Sequence, residues 1–490
     1  MSQSLASILA AAFLLAGSAW AQTPSPWGEL ARNDLAAIRE ALLENHPGPV
    51  DPLNPGYRTW LDDGYEAAPA MTDEITSLDG HLAVLRYYTS GFDDGHIGFE
   101  SFHSRSWVRW PRFTVALRQG RFFVDHVDRD EDRYPSVGDE VLSCDGVQLE
   151  ERLATEVMPY DGAIPSLEAS RTRSAPYVLV DAHNPFWTRP SDCLVRDTSG
   201  TERTIELGWW GIARETVRPL LERAVYGPAP GFGVREMDDE TVWISLPTFS
   251  GGDRENVARL EALSGQMPTF RDHDLIVLDV RGNTGGSSGL AYSILQGLYG
   301  EAYGDYLYSL DPYSPRVEWR ASESNADFIE TSTLPRFTPG SSQHRYVTGL
   351  IATLRDAAAS GRDLVDVDGS SGDDPKEALP EVENPVSGTV VLLTDGWCGS
   401  ACLDFADQLL PVPGVVHLGT ATFADAVYID NQGIVVPSQL GVFGFSMKVW
   451  RDRPRAHNQP YLPAIAYPGL TFDTELVEAW VLETARAVTP

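Results

Sequence analysis

Two apolar runs that break into small residues constrain this chain most. Residues 275–286 read LIVLDVRGNTGG and residues 390–402 read VVLLTDGWCGSAC. Each starts as a block of β-branched and apolar residues, the composition of a strand buried within a sheet. The first breaks into the pair Gly285-Gly286, the second into a lone Ser400 just before a helical pattern. Glycine lets backbone N–H groups approach a ligand closely, and a serine at a strand-to-helix turn is where a nucleophile can sit. Two such ends side by side would form an acyl-transfer site.

The helix expected after Ser400 places Cys402, Phe405, Ala406 and Leu409 on one apolar face, which puts Ser400 at its N-terminus. There the unpaired amides and the positive end of the helix dipole favour an oxyanion. The simpler role for such a serine is an N-cap. What favours chemistry is the glycine pair, whose Gly286 amide would join that of Ala401 in an oxyanion hole, with Gly285 as the alternate donor. Ser287 competes for the nucleophile's role, since residues 285–289 spell Gly-x-Ser-x-Gly. In that motif the serine follows its strand directly, whereas here Arg281-Gly282-Asn283-Thr284 intervenes. A serine also needs a base. Of the 10 histidines, His96 sits in a tight glycine-flanked turn, Asp94-Gly95-His96, while His46, before Pro47 and Gly48, reads as a helix end.

A length of 490 residues predicts several domains. Residues 27–44 and 75–89 carry apolar residues at helical spacing, so residues 22–100 read as a helical domain. Residues 101–210 turn to strands, with a hairpin over 113–127 about Gln119-Gly120 and an irregular insertion at 159–191. From 211 to 490 strands alternate with helices, the pattern of an α/β layer with parallel strands.

Residues 1–21 read as a signal peptide, with the apolar run ILAAAFLL and a small-x-small cleavage site at Ala19-Trp20-Ala21, which predicts an exported protein, periplasmic or secreted. No later apolar run is long enough to span a membrane. The net charge of −33 argues against nucleic-acid binding. Acidic residues crowd 362–383, a loop whose spacing does not match an EF-hand. Export permits disulfides, and chain position favours Cys144 with Cys193 and Cys398 with Cys402, although four residues across a helix start strain the second pair. No histidine has ligand spacing to either pair, so no metal is expected.

Taken together, LDVRGNTGG, VVLLTDGWCGSAC and the SVGDEVLSCDGVQLEE of residues 136–151 carry a family resemblance. The first resembles the Asp-Leu-Arg-x-Asn-x-Gly-Gly signature of the tail-specific (carboxy-terminal processing) serine proteases and the tricorn core. The second resembles their nucleophile segment, and the third the Gly-Asp turn of their PDZ domain. The resemblance implies a crotonase-like (ClpP-like) α/β catalytic domain carrying a PDZ-like peptide-binding domain. In the processing proteases a lysine is the base, but Asp425 holds the corresponding position here and Lys448 lies outside the motif. The tricorn branch uses a histidine in a turn that Asp94-Gly95-His96 resembles, with a late acidic residue whose place falls near His457 and Asn458. Asparagine can hold an imidazole tautomer but cannot stabilise its charge. The reading is therefore an exported serine peptidase acting on peptide or protein substrates. Ser400 is the nucleophile, His96 the base and Asn458 the residue that orients it; Asp279 and Arg281 are structural, and no cofactor is required. The rival reading is a peptide- or ligand-binding protein on the same scaffold that has lost catalysis.

Overall fold

The computed structural model describes residues 25–129, 131–228, 230–310, 315–367 and 377–488. The expected signal peptide lies outside these, as does the centre of the acidic stretch 362–383.

The two apolar runs form neighbouring strands, Leu275–Asp279 and Thr389–Thr394. They pair in parallel, Leu275 opposite Thr389 through Asp279 opposite Leu393, so they end at the same level. On either side lie Thr241–Ser245 and Val415–Gly419, also parallel, with Gly233–Asp238 at one edge and Ile465–Ala466 at the other. Successive side chains of a strand point to opposite faces. Ile276, Leu278, Val390 and Leu392 accordingly enter a core with helices Arg254–Gln266, Ser288–Tyr299 and Ala401–Leu409. Leu275, Val277, Val391 and Leu393 face Val477, Val481 and Ala485 of the terminal helix Thr474–Val488. Coverage on both faces is why these strands read as unbroken apolar runs.

A second, antiparallel sheet contains the long strand Gly441–Arg451, flanked by Gly98–Ser101, Arg316–Arg320 and Tyr428–Val435. Its Tyr428, Phe443, Phe445 and Val449 share one core with Leu35, Ile38 and Leu42 of helix Pro26–Asn45 and with Leu85 and Tyr88 of helix Leu78–Ser90. The N-terminal helices are thus built onto the last third of the chain, which delivers the turn at residues 93–96 to the ends of the central strands.

The region after residue 101 holds a separate antiparallel sheet, with the expected hairpin Phe113–Arg118 and Arg121–Val127 turning through Gln119 and Gly120, both at positive φ. Cys144 and Cys193 face each other on paired strands of that sheet and form a disulfide. The insertion at 159–191 contains the short helix Glu168–Ser174. Its Ile164 and Leu167 leave the sheet's own core and pack on Phe423 and Ala424 of the α/β body.

Candidate active site

Ser400 precedes helix Ala401–Leu409 at φ 52° and ψ −125°, a conformation a non-glycine residue adopts only when its surroundings enforce it. Although it occupies the N-cap position, its hydroxyl makes no capping bond. The ordinary structural use of such a serine is therefore not the one found here. Two constraints hold the turn. Cys398 and Cys402 form a disulfide that brackets the serine. The carboxylate of Asp395 accepts from the amides of Trp397 and Gly282, stapling the serine loop to the glycine loop.

The glycine pair closes against this turn. A methyl group on Gly285 would come within 2.6 Å of the Gly399 carbonyl oxygen and 2.8 Å of Ser400 Cβ, and one on Gly286 within 2.3 Å of the Phe249 carbonyl oxygen. Both have positive φ, so close approach and conformation each require glycine. Asp279 fixes the base of the loop, accepting from the Arg281 guanidinium and from Trp243 Nε1. The Gly285 amide donates to Asn283 Oδ1 at 2.8 Å and is thereby spent. Gly286 and Ala401 amides have no acceptor among the described residues, so of the three candidate oxyanion donors these two are free.

His96 reaches the same place from the N-terminal region. It lines, with Ser400, Gly286, Asp425, Trp450 and Arg453, a cavity of about 260 Å³. The turn is local: Asp94 Oδ1 accepts from the His96 amide at 2.8 Å. That carboxylate also lies 3.7 Å from His96 Nδ1 and, on its other oxygen, 3.9 Å from His46 Nε2. His96 Nδ1, Asp94 Oδ2 and His46 Nε2 are buried without hydrogen-bond partners. Burial pushes the Asp94 carboxyl up to about 6. His46, the expected helix end, accepts from the Gly48 amide on Nδ1, which leaves Nε2 carrying the proton that points at Asp94. Burial holds the His46 imidazole well below its usual range, so it stays neutral.

Asn458, expected to orient His96, does something different. Its Nδ2 donates to the Asp93 carbonyl at 2.6 Å and its own amide donates to the Asp425 carbonyl. It clamps the turn that carries Asp94 and His96, and the acid beside the imidazole is Asp94. The carboxylate of Asp425, in the lysine position of the processing proteases, is tied to Arg453 and Arg455. Lys448 is ion-paired with Asp430 at 2.8 Å. Ser287 caps helix Ser288–Tyr299 through its hydroxyl, and the Ser288 hydroxyl donates to Asp404. Among the described residues no group of histidine, cysteine, aspartate and glutamate side chains is placed to hold a metal ion, and no helix is long and apolar enough to cross a membrane.

No family model matches the chain, and no curated protein matches it in sequence. Among solved structures it is similar to mature CPAF in complex with lactacystin, with a TM-score of 0.64 and 16% identity over 95% of this chain and 99% of that one. Mature CPAF aligns with a TM-score of 0.59 and 16% identity, over 90% of this chain and 93% of that one. A serine-to-alanine mutant of CPAF aligns at 0.54 and 15% identity, over 91% and 94%. At this level of identity the likeness is one of fold, and it extends over 95% of the chain.

Proposed function

We propose that this protein is an exported serine peptidase working through Ser400 and His96. The observation that carries the reading is the meeting of a strained serine, a histidine from a distant part of the chain and Gly286 with its free amide on one cavity, with the free amide of Ala401 next to the serine. The fold it shares with CPAF, of which a serine-to-alanine mutant is among the similar structures, agrees with a serine-type hydrolase. Pairing of all four cysteines supports an oxidising compartment outside the cytoplasm. The central sheet is read as a crotonase-like catalytic layer and the sheet spanning 113–206 as its PDZ-like peptide-binding module.

In this reading Ser400 Oγ attacks the scissile carbonyl carbon as His96 takes its proton. The oxygen that gains the electron pair is held by the Gly286 and Ala401 amides. Collapse breaks the C–N bond, and His96 returns the proton to the leaving amine. Water then cleaves the acyl-enzyme with His96 again as base. Asp94 stabilises the imidazolium, a small closure of the turn sufficing to turn 3.7 Å into a hydrogen bond. Asn458 holds that turn in place. The test is hydrolysis of an unfolded protein such as casein, with fragments identified by mass spectrometry. Wild type should cleave, while Ser400→Ala and His96→Ala, both folded, should not; cleavage retained by Ser400→Ala would overturn the assignment.

A further inference from the structure

The insertion at 159–191 puts a cation beside the site. Arg173, on helix Glu168–Ser174, places its guanidinium carbon 4.3 Å from the Trp397 ring centroid and 4.8 Å from that of Phe423. Trp397 belongs to the turn that presents Ser400. The Phe423 ring touches both catalytic loops, lying 3.3 Å from where a methyl on Gly95 would sit and 3.4 Å from where one on Gly399 would sit. The guanidinium is therefore held, through these two rings, beside the loops that carry nucleophile and base.

Its electrostatic state differs from that of its neighbours. Arg281, Arg453 and Arg455 are each in ion pairs with aspartates. Arg173 has no carboxylate within ion-pair distance and no hydrogen bond to any described residue. Of the acids that act on it, Asp395 is buried and burial pushes it up to about 7, which weakens it as a counter-ion at neutral pH and below, while Asp161 is exposed and screened by water. Stacking between two rings restrains the fork while leaving its N–H edge free, and a planar fork suits a carboxylate. In a chain of net charge −33, an unpaired arginine so placed would draw an anionic group that the rest of the surface repels.

We infer that Arg173 is a specificity determinant that binds a carboxylate of the peptide substrate, either an acidic side chain near the scissile bond or the peptide's own C-terminus. This rests on the peptidase reading, and the test separates the two. Peptides sharing one cleaved sequence would carry Glu or Gln at each position around the bond, each with a free or amidated C-terminus. Hydrolysis is measured with wild type, Arg173→Met and Arg173→Lys, and binding by fluorescence anisotropy with Ser400→Ala and with Ser400→Ala combined with Arg173→Met.

The expected result is a preference of about tenfold in kcat/KM for one carboxylate-bearing member over its neutral isostere. That preference should be abolished by Arg173→Met, which still covers the rings, and partly kept by Arg173→Lys. The position effect says whether side chain or terminus is read. Hydrolysis by wild type without preference at any position, or an unchanged preference in Arg173→Met, overturns the carboxylate site while leaving the peptidase standing. Carboxylate-selective binding by Ser400→Ala that the added Arg173→Met abolishes, with no hydrolysis by wild type, supports the site and sinks the peptidase.

Discussion

At the scale of residues, the account turns on Asp94. An acid that stabilises imidazolium must be ionised, and burial places this one near 6. Activity should therefore fall as pH drops through about 6, because the protonated carboxyl no longer compensates the charge on His96. Asp94→Asn keeps the shape of the turn and removes the charge, so kcat should fall by about 10²–10⁴. Asn458→Ala removes only the clamp on the Asp93 carbonyl and should cost less, about tenfold. Pre-steady-state hydrolysis of an activated ester by the two variants checks the order; equal losses would return Asn458 to the orienting role. The resemblance points to a late acidic residue and so away from Asp94. The signal was local, since an aspartate two residues before a histidine accepts its amide and so shares its turn.

At the scale of elements, the two strand ends were legible because burial on both faces leaves an uninterrupted apolar signature, and glycines mark the break. The sheet containing Gly441–Arg451 is not legible from local sequence, although Phe443, Phe445, Met447 and Val449 alternate as a half-buried strand should. Its partner Gly98–Ser101 lies far away in the chain, and short strands paired at such separation carry little local signal. The insertion at 159–191 showed its length but not its destination, because its contacts with Phe423 and Ala424 are long-range.

The disulfides separate stability from function. Cys144–Cys193 closes a 49-residue separation and Cys398–Cys402 one of 4. Loop-closure entropy then gives about 4 kcal/mol for the first and about 2 kcal/mol for the second. Cys144→Ala/Cys193→Ala should lower the denaturation midpoint more, yet Cys398→Ala/Cys402→Ala should lose more activity, since it frees the strained turn at Ser400. Chemical denaturation alongside kcat/KM for both pairs checks the crossing.

For the whole molecule, Asp94 and Asp395 are buried carboxyls raised to about 6 and about 7. In the unfolded chain they ionise near 4. Between those values the folded state binds more protons, so these groups make stability fall as pH rises from about 4 to about 7. Asp395→Asn mimics the protonated carboxyl and should flatten the fall; melting curves across that range check it, and an unchanged slope would show that Asp395 is already ionised in the fold. The two carboxyls sit where separate parts of the chain meet, in the N-terminal turn and the serine loop. Assembly of the site and burial of these acids are thus one event.

The most direct measurement is labelling with a fluorophosphonate, which reacts with a serine only when a base and an oxyanion hole activate it. One equivalent should attach to Ser400 by peptide mapping, and none should attach in folded His96→Ala. A folded wild-type protein that stays unlabelled, or that carries its label on Ser287, would contradict the account.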